Sequence, residues 1–193
     1  MDEAHLPATV VARQTLTFPT PDGPFTIVAG DDAVLAAGWT ADVGSLVALI
    51  HPGLQQRLAD RGRGTSATQV LDQARQAVGA YYQGDLAAPA RIAVRQHSGD
   101  FRQRAWAALR TIRPGEVVSY TELAARAGNL AAVRAAAGAC AANAAALFVP
   151  CHRVRRADGS LGGFRYGLAI KRRLLDREAG ASPTTTPGDS PAA

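Results

Sequence analysis

Residues 117–143 read VVSYTELAARAGNLAAVRAAAGACAAN, and this stretch decides the fold of the second half of the chain. Its pattern predicts a helix over about residues 121–127, a turn at residues 128–129 and an alanine-rich helix over about residues 131–142. Two short helices joined by a glycine-containing turn are the sequence form of a helix-turn-helix. An ordinary helical hairpin that packs through small residues has the same pattern and is more common, so both structures stay open at this point.

The segments before this stretch predict strands followed by helices. Residues 10–40 hold short β-branched runs broken by turn residues, which predicts two or three strands that begin with a hairpin. Residues 41–63 and 68–84 carry apolar residues at helical spacing, so we expect one amphipathic helix in each. Residues 85–98 contain a proline and a short alternating segment, which predicts an edge strand and a connection.

Two further helices are predicted in the second half. Asp100 is placed to cap a helix that ends at about residues 114–115, where a proline and a glycine follow each other. Residues 168–178 carry an apolar stripe and predict a last helix. The final residues, 181–193, are small, polar and proline-rich, which predicts a disordered tail.

These elements predict the fold class α/β, more narrowly α+β. We expect a small N-terminal strand-and-helix domain with its connecting segment over residues 1–98. A mostly helical C-terminal domain that carries the two short helices is expected over residues 99–180.

Composition limits the class of protein. With 47% apolar and 19% charged residues, a chain of 193 residues can bury a proper core. Its two cysteines, Cys140 and Cys151, are too few for a disulfide framework or a four-thiolate zinc site, so a reduced, cytoplasmic setting is the simplest expectation. We find neither a signal-peptide pattern nor an apolar window of about 18 residues, and therefore expect no export and no membrane.

The net charge of +5 is unevenly distributed along the chain. Residues 1–100 carry seven Arg against ten Asp and Glu, whereas residues 101–178 carry thirteen Arg and one Lys against five acidic residues. A concentration of arginine in one folding unit is expected for a protein that binds a polyanion, because each neutralised phosphate releases counterions. Ordinary solvated arginine explains the same charge equally well.

Cys151 follows a proline and precedes His152 in the run LFVPCHRVRRADGSLGGFRYG, residues 147–167. A cysteine attacks as the thiolate, and His152 with Glu178 on the last helix offers the Cys–His–acid arrangement of an activated nucleophile. Since sequence neighbours rarely face each other, the histidine is expected to act through a water. A buried, inert cysteine is the more common outcome for such a dipeptide taken alone. A metal site fits poorly, because neither Cys140 nor another histidine has ligand spacing with Cys151.

Five features occur together at fixed spacing around this cysteine. They are PCHRV at 150–154, Asn143 eight residues before the cysteine, Arg134 seventeen before it, GEVVSY at 115–120 and GSLGGFRYGLAIKRRLLDREAG at 159–180. Together they resemble the O6-alkylguanine-DNA alkyltransferases, and the resemblance is continuous over about residues 100–180. The N-terminal half resembles this family only in its plan of strands followed by helices.

The resemblance implies a DNA repair reaction that each molecule performs once. Family members transfer a methyl or other alkyl group from O6 of guanine, or from O4 of thymine, to their own cysteine, which here is Cys151. A relay from Glu178 through His152 and a water would activate the thiol. Tyr120 matches the tyrosine whose hydroxyl protonates the leaving base near N3. No cofactor and no metal are implied.

The resemblance also implies how DNA is bound and how the base is recognised. The reacting nucleotide leaves the stack, the second short helix lies in the minor groove with Ala132 and Ala135 close to the DNA, and Arg134 enters the stack in place of the base. We therefore expect binding of a monomer to double-stranded DNA that depends little on sequence.

Backbone groups are expected to form most of the base pocket. Carbonyl groups of Cys151 and Val154 would accept the exocyclic amine of guanine, and the main-chain N–H near Arg165 would face O6, with Tyr120 at the base. Asn143 matches the hinge asparagine that links the recognition helix to the active-site segment. Most members have proline after that asparagine, and because Ala144 stands here, a less rigid hinge is expected.

Two other functions stay open. A non-catalytic protein could bind alkylated DNA and signal, and a Cys–His hydrolase could turn over repeatedly on small acyl substrates. Cys151 argues against a related class in which tryptophan replaces the cysteine. With two cysteines in the chain, the four-cysteine zinc domain of the adaptive-response regulators is not expected.

Overall fold

The first half of the chain is built on a small antiparallel sheet. The structure, a computed structural model, describes residues 14–61 and 66–180. Its first three strands are β1 (Thr15–Thr20), β2 (Gly23–Ala29) and β3 (Val34–Gly38), paired in that order. Gly23 closes the turn between β1 and β2 with φ at +114°, which a residue with a side chain rarely adopts. The predicted hairpin and three-strand arrangement are confirmed.

Three helices follow the sheet. They are α1 (Val43–Val47), α2 (Pro52–Arg61) and α3 (Ser66–Tyr82). The prediction of one helix over residues 41–63 is wrong, because α1 ends at Val47 and a new helix begins at Pro52. Proline lacks a backbone N–H, which a helix tolerates only in its first turn. The predicted helix over residues 68–84 is confirmed as α3, and its apolar stripe is buried from Leu71 to Tyr81.

The predicted edge strand in residues 85–98 is wrong. The structure has a short 3-10 helix at Ala88–Arg91 with Pro89 inside it. After this turn only Val94 pairs with the sheet, through one parallel bridge to Val34. Pro89 lies in this turn and has no N–H to donate to a neighbouring strand, so strand pairing does not begin there and only a single bridge forms.

Four helices and two very short strands make up the second half. They are α4 (Asp100–Thr111), β4 (Val118–Ser119), α5 (Tyr120–Arg126), α6 (Val133–Ala141), a 3-10 helix (Cys151–Arg153), β5 (Val154–Arg155) and α7 (Leu168–Gly180). The two predicted short helices are confirmed as α5 and α6, and Gly128 in the turn between them has φ at +86°.

Capping differs from the prediction at one helix. Gly99 is the N-cap of α4 and makes no side-chain cap, so Asp100 is the first helical residue, where its charge still favours the helix dipole. The start of α5 is held by a capping box, in which Ser119 and Glu122 each bond the other's backbone N–H. This cap sets the position of the residue that begins α5.

The parallel pair β4–β5 was not predicted, and it positions the site. Val118 pairs with Val154 and Ser119 with Arg155. Two residues per strand are too few to carry a sequence pattern. The pairing brings the start of α5 beside the segment that follows Cys151.

One large buried cluster takes residues from both halves of the described chain, among them Phe25, Tyr81, Leu109, Phe148 and Leu174. The segment between α6 and Cys151 extends the first sheet, since Ala37 of β3 exchanges backbone hydrogen bonds of 2.8 and 2.9 Å with Ala144 and Ala146. The mixture of helices and strands confirms the α+β class.

The predicted division at residues 98 and 99 stays a prediction. The predicted tail, residues 181–193, lies outside the described residues, as does the start of the N-terminal unit. None of the helices that the structure describes is both long and apolar enough to cross a membrane.

Candidate active site

Cys151 begins the short 3-10 helix and lines a pocket of about 590 Å³. Only 8% of the residue is exposed. The backbone just before it is unusual, because Leu147 has φ at +71°, a left-handed conformation that costs a residue with a side chain about 1–3 kcal/mol. The pocket is lined by Tyr120, Ala137, Cys140, Ala141, Asn143, Ala146, Cys151, Arg156, Gly162, Gly163, Phe164, Arg165 and Tyr166.

Tyr120, the first residue of α5, forms one side of this pocket together with Gly162. A Cβ atom on Gly162 would lie 2.9 Å from the Tyr120 hydroxyl oxygen, and the glycine has φ at +66°. Both facts require glycine at this position. Burial raises the pKa of Tyr120, so its hydroxyl stays protonated and can donate a proton.

Asn143 contacts the thiol directly. Its Nδ2 donates to Sγ of Cys151 at 3.2 Å and to the carbonyl oxygen of Val149 at 2.8 Å. Its Oδ1 accepts from the backbone N–H of Ala145 and from Nε2 of Gln96, both at 3.1 Å. Both ends of the amide are therefore held, and its donor end faces the sulfur.

The environment of Cys151 favours the neutral thiol in the resting protein. Burial raises its pKa above the usual range, and this exceeds the opposing effect of the Asn143 hydrogen bond and of the nearby Lys171 charge. A base is therefore needed to remove the thiol proton before the sulfur can attack.

The histidine next to the cysteine is tied to a buried carboxylate. Nε2 of His152 lies 2.9 Å from Oε1 of Glu178, and the two side chains are 0% and 1% exposed. Burial by itself would raise the pKa of Glu178, but hydrogen bonds from His152 and Arg153 together with the Arg153 charge outweigh it and lower the pKa to about 2. Burial likewise lowers the pKa of His152, which keeps the ring neutral.

These charge states assign the proton on the imidazole. Since Glu178 is ionised and only accepts, Nε2 of His152 carries the hydrogen and Nδ1 carries the lone pair. Within the described residues, Nδ1 is buried and has no hydrogen-bond partner in the protein. His152 can therefore act as a base through Nδ1.

Three further groups donate to Glu178. Arg153 binds it through Nε at 2.8 Å and Nη2 at 2.9 Å, the Tyr81 hydroxyl donates to Oε1 at 3.1 Å, and the backbone N–H of Gly115 reaches Oε2 at 3.4 Å. Sequence reasoning missed Arg153 and Tyr81. Arg153 lies in the PCHRV motif and could have been found there, whereas Tyr81 was read only as part of an apolar stripe.

Lys171 of α7 is a second buried group that the sequence analysis did not assign. It is 0% exposed, and its Nζ donates to the carbonyl oxygen of Val154 at 2.5 Å and to that of Leu161. Burial lowers its pKa. A signal was available, because Lys171 is the only lysine in a chain with twenty arginines.

Val154 is placed differently from the other predicted pocket residues. It does not line the pocket, and its carbonyl oxygen already accepts from Lys171. A carbonyl oxygen has two lone pairs, so the role of Val154 toward a base stays a prediction. Arg165 does line the pocket, and its exposed side chain donates to the carbonyl oxygen of Ala141 at 2.7 Å.

The predicted DNA-contacting residues lie together at the start of α6. Arg134 and Ala135 are exposed, and Ala132 is half-buried at the N-cap. In the described part of the chain Arg134 forms no ion pair or hydrogen bond, so its guanidinium is available to a ligand. The exposed face of this helix consists largely of alanine, which allows its backbone to come close to a partner.

Ala144 occupies the position where most family members have proline, and its backbone N–H has a hydrogen-bond partner. It donates to Oε1 of Gln96 at 2.8 Å, and Nε2 of the same glutamine donates to Oδ1 of Asn143. Gln96 thus binds both residues of the predicted hinge. Over residues 14–61 and 66–180, no three His, Cys, Asp or Glu side chains gather as metal ligands would.

Comparison with known proteins identifies the family of the chain. Residues 100–180 match the family model described as the DNA-binding domain of 6-O-methylguanine DNA methyltransferase. The methylated-DNA–protein-cysteine methyltransferase of Mycobacterium tuberculosis is 35% identical over 167 residues, which cover 86% of this chain and 93% of that protein. The chain belongs to this family. The resemblance stated from the sequence is thereby confirmed.

Other members of the methyltransferase family match shorter parts. The bifunctional transcriptional activator and DNA repair enzyme Ada of Escherichia coli is 57% identical over 79 residues, so the chain spans 22% of the length of Ada. The methylated-DNA–protein-cysteine methyltransferase of Haemophilus influenzae is 39% identical over 56% of this chain and 61% of its own length.

The likeness extends to solved structures of the methyltransferase family. The crystal structure of Mycobacterium tuberculosis OGT in complex with DNA aligns with a TM-score of 0.66 and 29% identity, covering 88% of this chain and 95% of that chain. A crystal structure of the same organism's O6-methylguanine methyltransferase gives a TM-score of 0.63 and 31% identity, covering 87% of this chain and 93% of that chain. The N-terminal half therefore shares the fold as well.

Proposed function

We propose that this protein repairs alkylated double-stranded DNA by moving a methyl or other alkyl group from O6 of guanine, or O4 of thymine, to Sγ of Cys151. One observation carries the proposal: the Cys151 thiol lines a pocket of about 590 Å³, within the usual size of small-ligand sites, and His152 beside it is bound to ionised Glu178. Membership of the methyltransferase family supports it.

The first step is removal of the thiol proton. Nδ1 of His152 takes this proton through an intervening water, and Glu178 stabilises the resulting imidazolium. Nδ2 of Asn143, already 3.2 Å from Sγ, donates to the thiolate as charge develops. The neighbouring Lys171 ammonium lowers the energy of the same charge.

The second step is the transfer itself. Sγ of Cys151 attacks the alkyl carbon in line, the S–C bond forms, the C–O6 bond breaks, and its electron pair passes into the purine. Tyr120 donates a proton to the base, which is the leaving group and becomes unmodified guanine in the DNA strand. Water does not hydrolyse the thioether formed on Cys151, so each protein molecule reacts once.

Access to O6 requires the nucleotide to leave the helical stack, at a cost of a few kcal/mol. We infer that α6 lies in the minor groove, because its alanine-rich exposed face lets the backbone come close. Arg134 is exposed and unpaired at the start of α6, where its planar guanidinium can fill the gap left by the base. The excess of arginine in residues 101–178 supports salt-sensitive binding to the phosphates, and a single copy of the chain supplies every group named here.

The chain offers a matched pair of cysteines for the test. Cys140 and Cys151 line the same pocket, and both thiols are free. A duplex with one O6-methylguanine is incubated with the wild-type protein, Cys151→Ala and Cys140→Ala, and intact protein mass and DNA bases are measured. We expect one added methyl group on the wild type and on Cys140→Ala, unmodified guanine in the DNA, and no gain on Cys151→Ala.

Stoichiometry and lesion range follow from the same assay. Repaired DNA should never exceed the amount of protein, and a duplex with O4-methylthymine should also transfer its methyl group. Lesion binding by the wild type without any mass gain at Cys151 would overturn the proposal and indicate a non-catalytic binding protein. Repeated turnover on small acyl esters would instead indicate a hydrolase.

A further inference from the structure

The N-terminal half reaches Glu178 of the proposed relay through the hydroxyl of Tyr81 on α3. Tyr81 is 0% exposed, and its hydroxyl donates to Oε1 of Glu178 at 3.1 Å, across 97 residues of sequence. The same oxygen accepts from Nε2 of His152 at 2.9 Å. The hydroxyl and the imidazole therefore share one carboxylate oxygen.

We propose that Tyr81 is a positioning residue for the transfer reaction, and that its hydroxyl fixes the Glu178 carboxylate and limits the negative charge that His152 feels. The proposal rests on the proposed function of the site. It also assigns a task to the N-terminal half, since α3 and the first sheet hold this hydroxyl in place.

The position of the Tyr81 ring is fixed from several directions. It packs within the main core, with the Arg177 guanidinium carbon 6.0 Å from its centre and the Tyr82 ring perpendicular to it at 5.5 Å. Burial and the adjacent Glu178 charge raise the pKa of Tyr81, so its hydroxyl is protonated and remains a donor near neutral pH.

A donor shared with the histidine has a defined electrostatic effect. A hydrogen bond to the ionised carboxylate favours its charge and weakens its acceptance from His152. Without the Tyr81 hydroxyl, Glu178 interacts more strongly with the imidazole and is held less firmly. The protonated form of His152 then becomes more favourable and its pKa rises. The other charged groups that face this pair are Arg153, Lys171 and Arg177, and the exchange leaves all three in place.

The adjacent residue supplies the control. Tyr82 also donates its hydroxyl to a buried carboxylate, that of Asp22 at 2.9 Å, and accepts from Nε1 of Trp39 at 3.0 Å. Its hydroxyl makes no hydrogen bond to Glu178. Tyr81→Phe and Tyr82→Phe therefore each remove one hydroxyl that donates to a buried carboxylate and keep the ring, and only the first changes the relay.

The experiment measures the rate of methyl transfer from duplex DNA against pH for the wild type, Tyr81→Phe and Tyr82→Phe. Neutral His152 is the base, so the rate falls on the acidic side as the ring becomes protonated. We expect the acidic midpoint of Tyr81→Phe to move up by about half a pH unit, which is roughly a threefold loss of rate below the midpoint, as one hydrogen bond of ordinary strength predicts. Tyr82→Phe should keep the wild-type midpoint.

A second measurement does not depend on activity. In the full chain with labelled histidine, the ¹⁵N–¹H signal of the buried His152 Nε2–H reports its hydrogen bond to Glu178. Tyr81→Phe should move this signal downfield, and Tyr82→Phe should leave it unchanged. Thermal unfolding confirms that both variants are folded.

The outcomes separate this proposal from the proposed function. If the wild type transfers no methyl group but the signal moves as expected, the function is wrong and the positioning by Tyr81 stands. If transfer occurs and Tyr81→Phe leaves both the midpoint and the signal unchanged, Tyr81 is only a core residue. A uniform loss of rate at all pH values without a shifted midpoint gives that same conclusion.

Discussion

Replacing Glu178 with glutamine tests the centre of the proposed mechanism. The exchange keeps the size of the side chain and removes its charge. Five hydrogen bonds from described residues end on this carboxylate, three on Oε1 and two on Oε2. An amide has only one acceptor oxygen, so its NH₂ group must face donors at whichever position it takes.

The stability effect follows from the ion pair with Arg153. Its Nε and Nη2 bind Glu178 at 2.8 and 2.9 Å in a site where the carboxylate is 1% exposed. Removing one partner of such a buried pair costs about 3–5 kcal/mol, because the remaining charge is left without compensation. A domain is stable by about 5–15 kcal/mol in total, so Glu178→Gln should fold with a much reduced margin.

The effect on reactivity follows from the bond to His152. A hydrogen bond to a charged group contributes about 1.5–3 kcal/mol, and the bond of 2.9 Å between Nε2 and Oε1 stabilises the imidazolium when the thiol proton is taken. We expect methyl transfer by Glu178→Gln to be about 10- to 100-fold slower at pH 7. The thiolate of Cys151 should also need a higher pH to form.

A second buried carboxylate, Asp22, provides a control that distinguishes a loss of stability from a loss of reactivity. Asp22 is also closed off from solvent and binds Arg173, Arg177 and the Tyr82 hydroxyl, at distances of 2.5, 3.2 and 2.9 Å. Asp22→Asn should lower the free energy of unfolding and leave the rate of transfer unchanged. Both variants are compared by urea unfolding, by methyl transfer at a temperature where they are folded, and by the pH dependence of Cys151 alkylation with iodoacetamide.

The reasoning is refuted if folded Glu178→Gln transfers methyl groups within about twofold of the wild-type rate and alkylates with an unchanged pH profile. In that case His152 would not act through Glu178. Equal slowing of Asp22→Asn and Glu178→Gln would also refute it, because the loss would then follow from reduced stability alone.

Three further predictions test the ion pair, the DNA surface and the pocket. The pKa of Glu178 in the folded state is about 2, below its value in the unfolded chain. Its ionisation therefore contributes about 3 kcal/mol to the free energy of unfolding above about pH 4.3, and this contribution should be lost as the pH falls toward 2. A free energy of unfolding in urea that stays constant over this range would contradict the prediction. Arg134→Ala should slow repair in duplex DNA at least tenfold and reaction with a free alkylated base less than twofold; equal slowing would argue against its role in base flipping. Gly162→Ala should displace Tyr120 and slow transfer at least tenfold, whereas Gly79→Ala on α3, outside the pocket, whose added Cβ meets nothing within 4 Å, should keep the wild-type rate.

Local patterns predicted most of the fold. The apolar stripe of α3 and the pair of short helices around Gly128 were correct because each depends on residues within one or two turns of each other. The two elements predicted wrongly, one helix over residues 41–63 and an edge strand in residues 85–98, contain Pro52 and Pro89. At both places the spacing of apolar residues continues through the proline, but a proline lacks the N–H that a continuous helix or strand needs at that position.

The candidate site divides in a similar way. Cys151 and His152 were singled out by residue type, and Asn143 and Tyr120 by the family resemblance. The structure places Cys151, Asn143 and Tyr120 in the lining of one pocket, and their roles stay predictions. The strand pair β4–β5 that aligns them was not found, because two residues per strand carry no periodicity.

The sequence by itself determined which side chains are candidates for the proposed reaction, because a thiol between proline and histidine with an asparagine eight residues earlier is a property of spacing. Only the tertiary structure decided how the carboxylate of Glu178 is held. Arg153 reaches it across 25 residues of sequence and Tyr81 across 97. Contacts at such separations depend on how helices pack. Within that packing, the hydrogen bonds and the Arg153 charge keep Glu178 ionised against the effect of burial, and burial keeps His152 neutral.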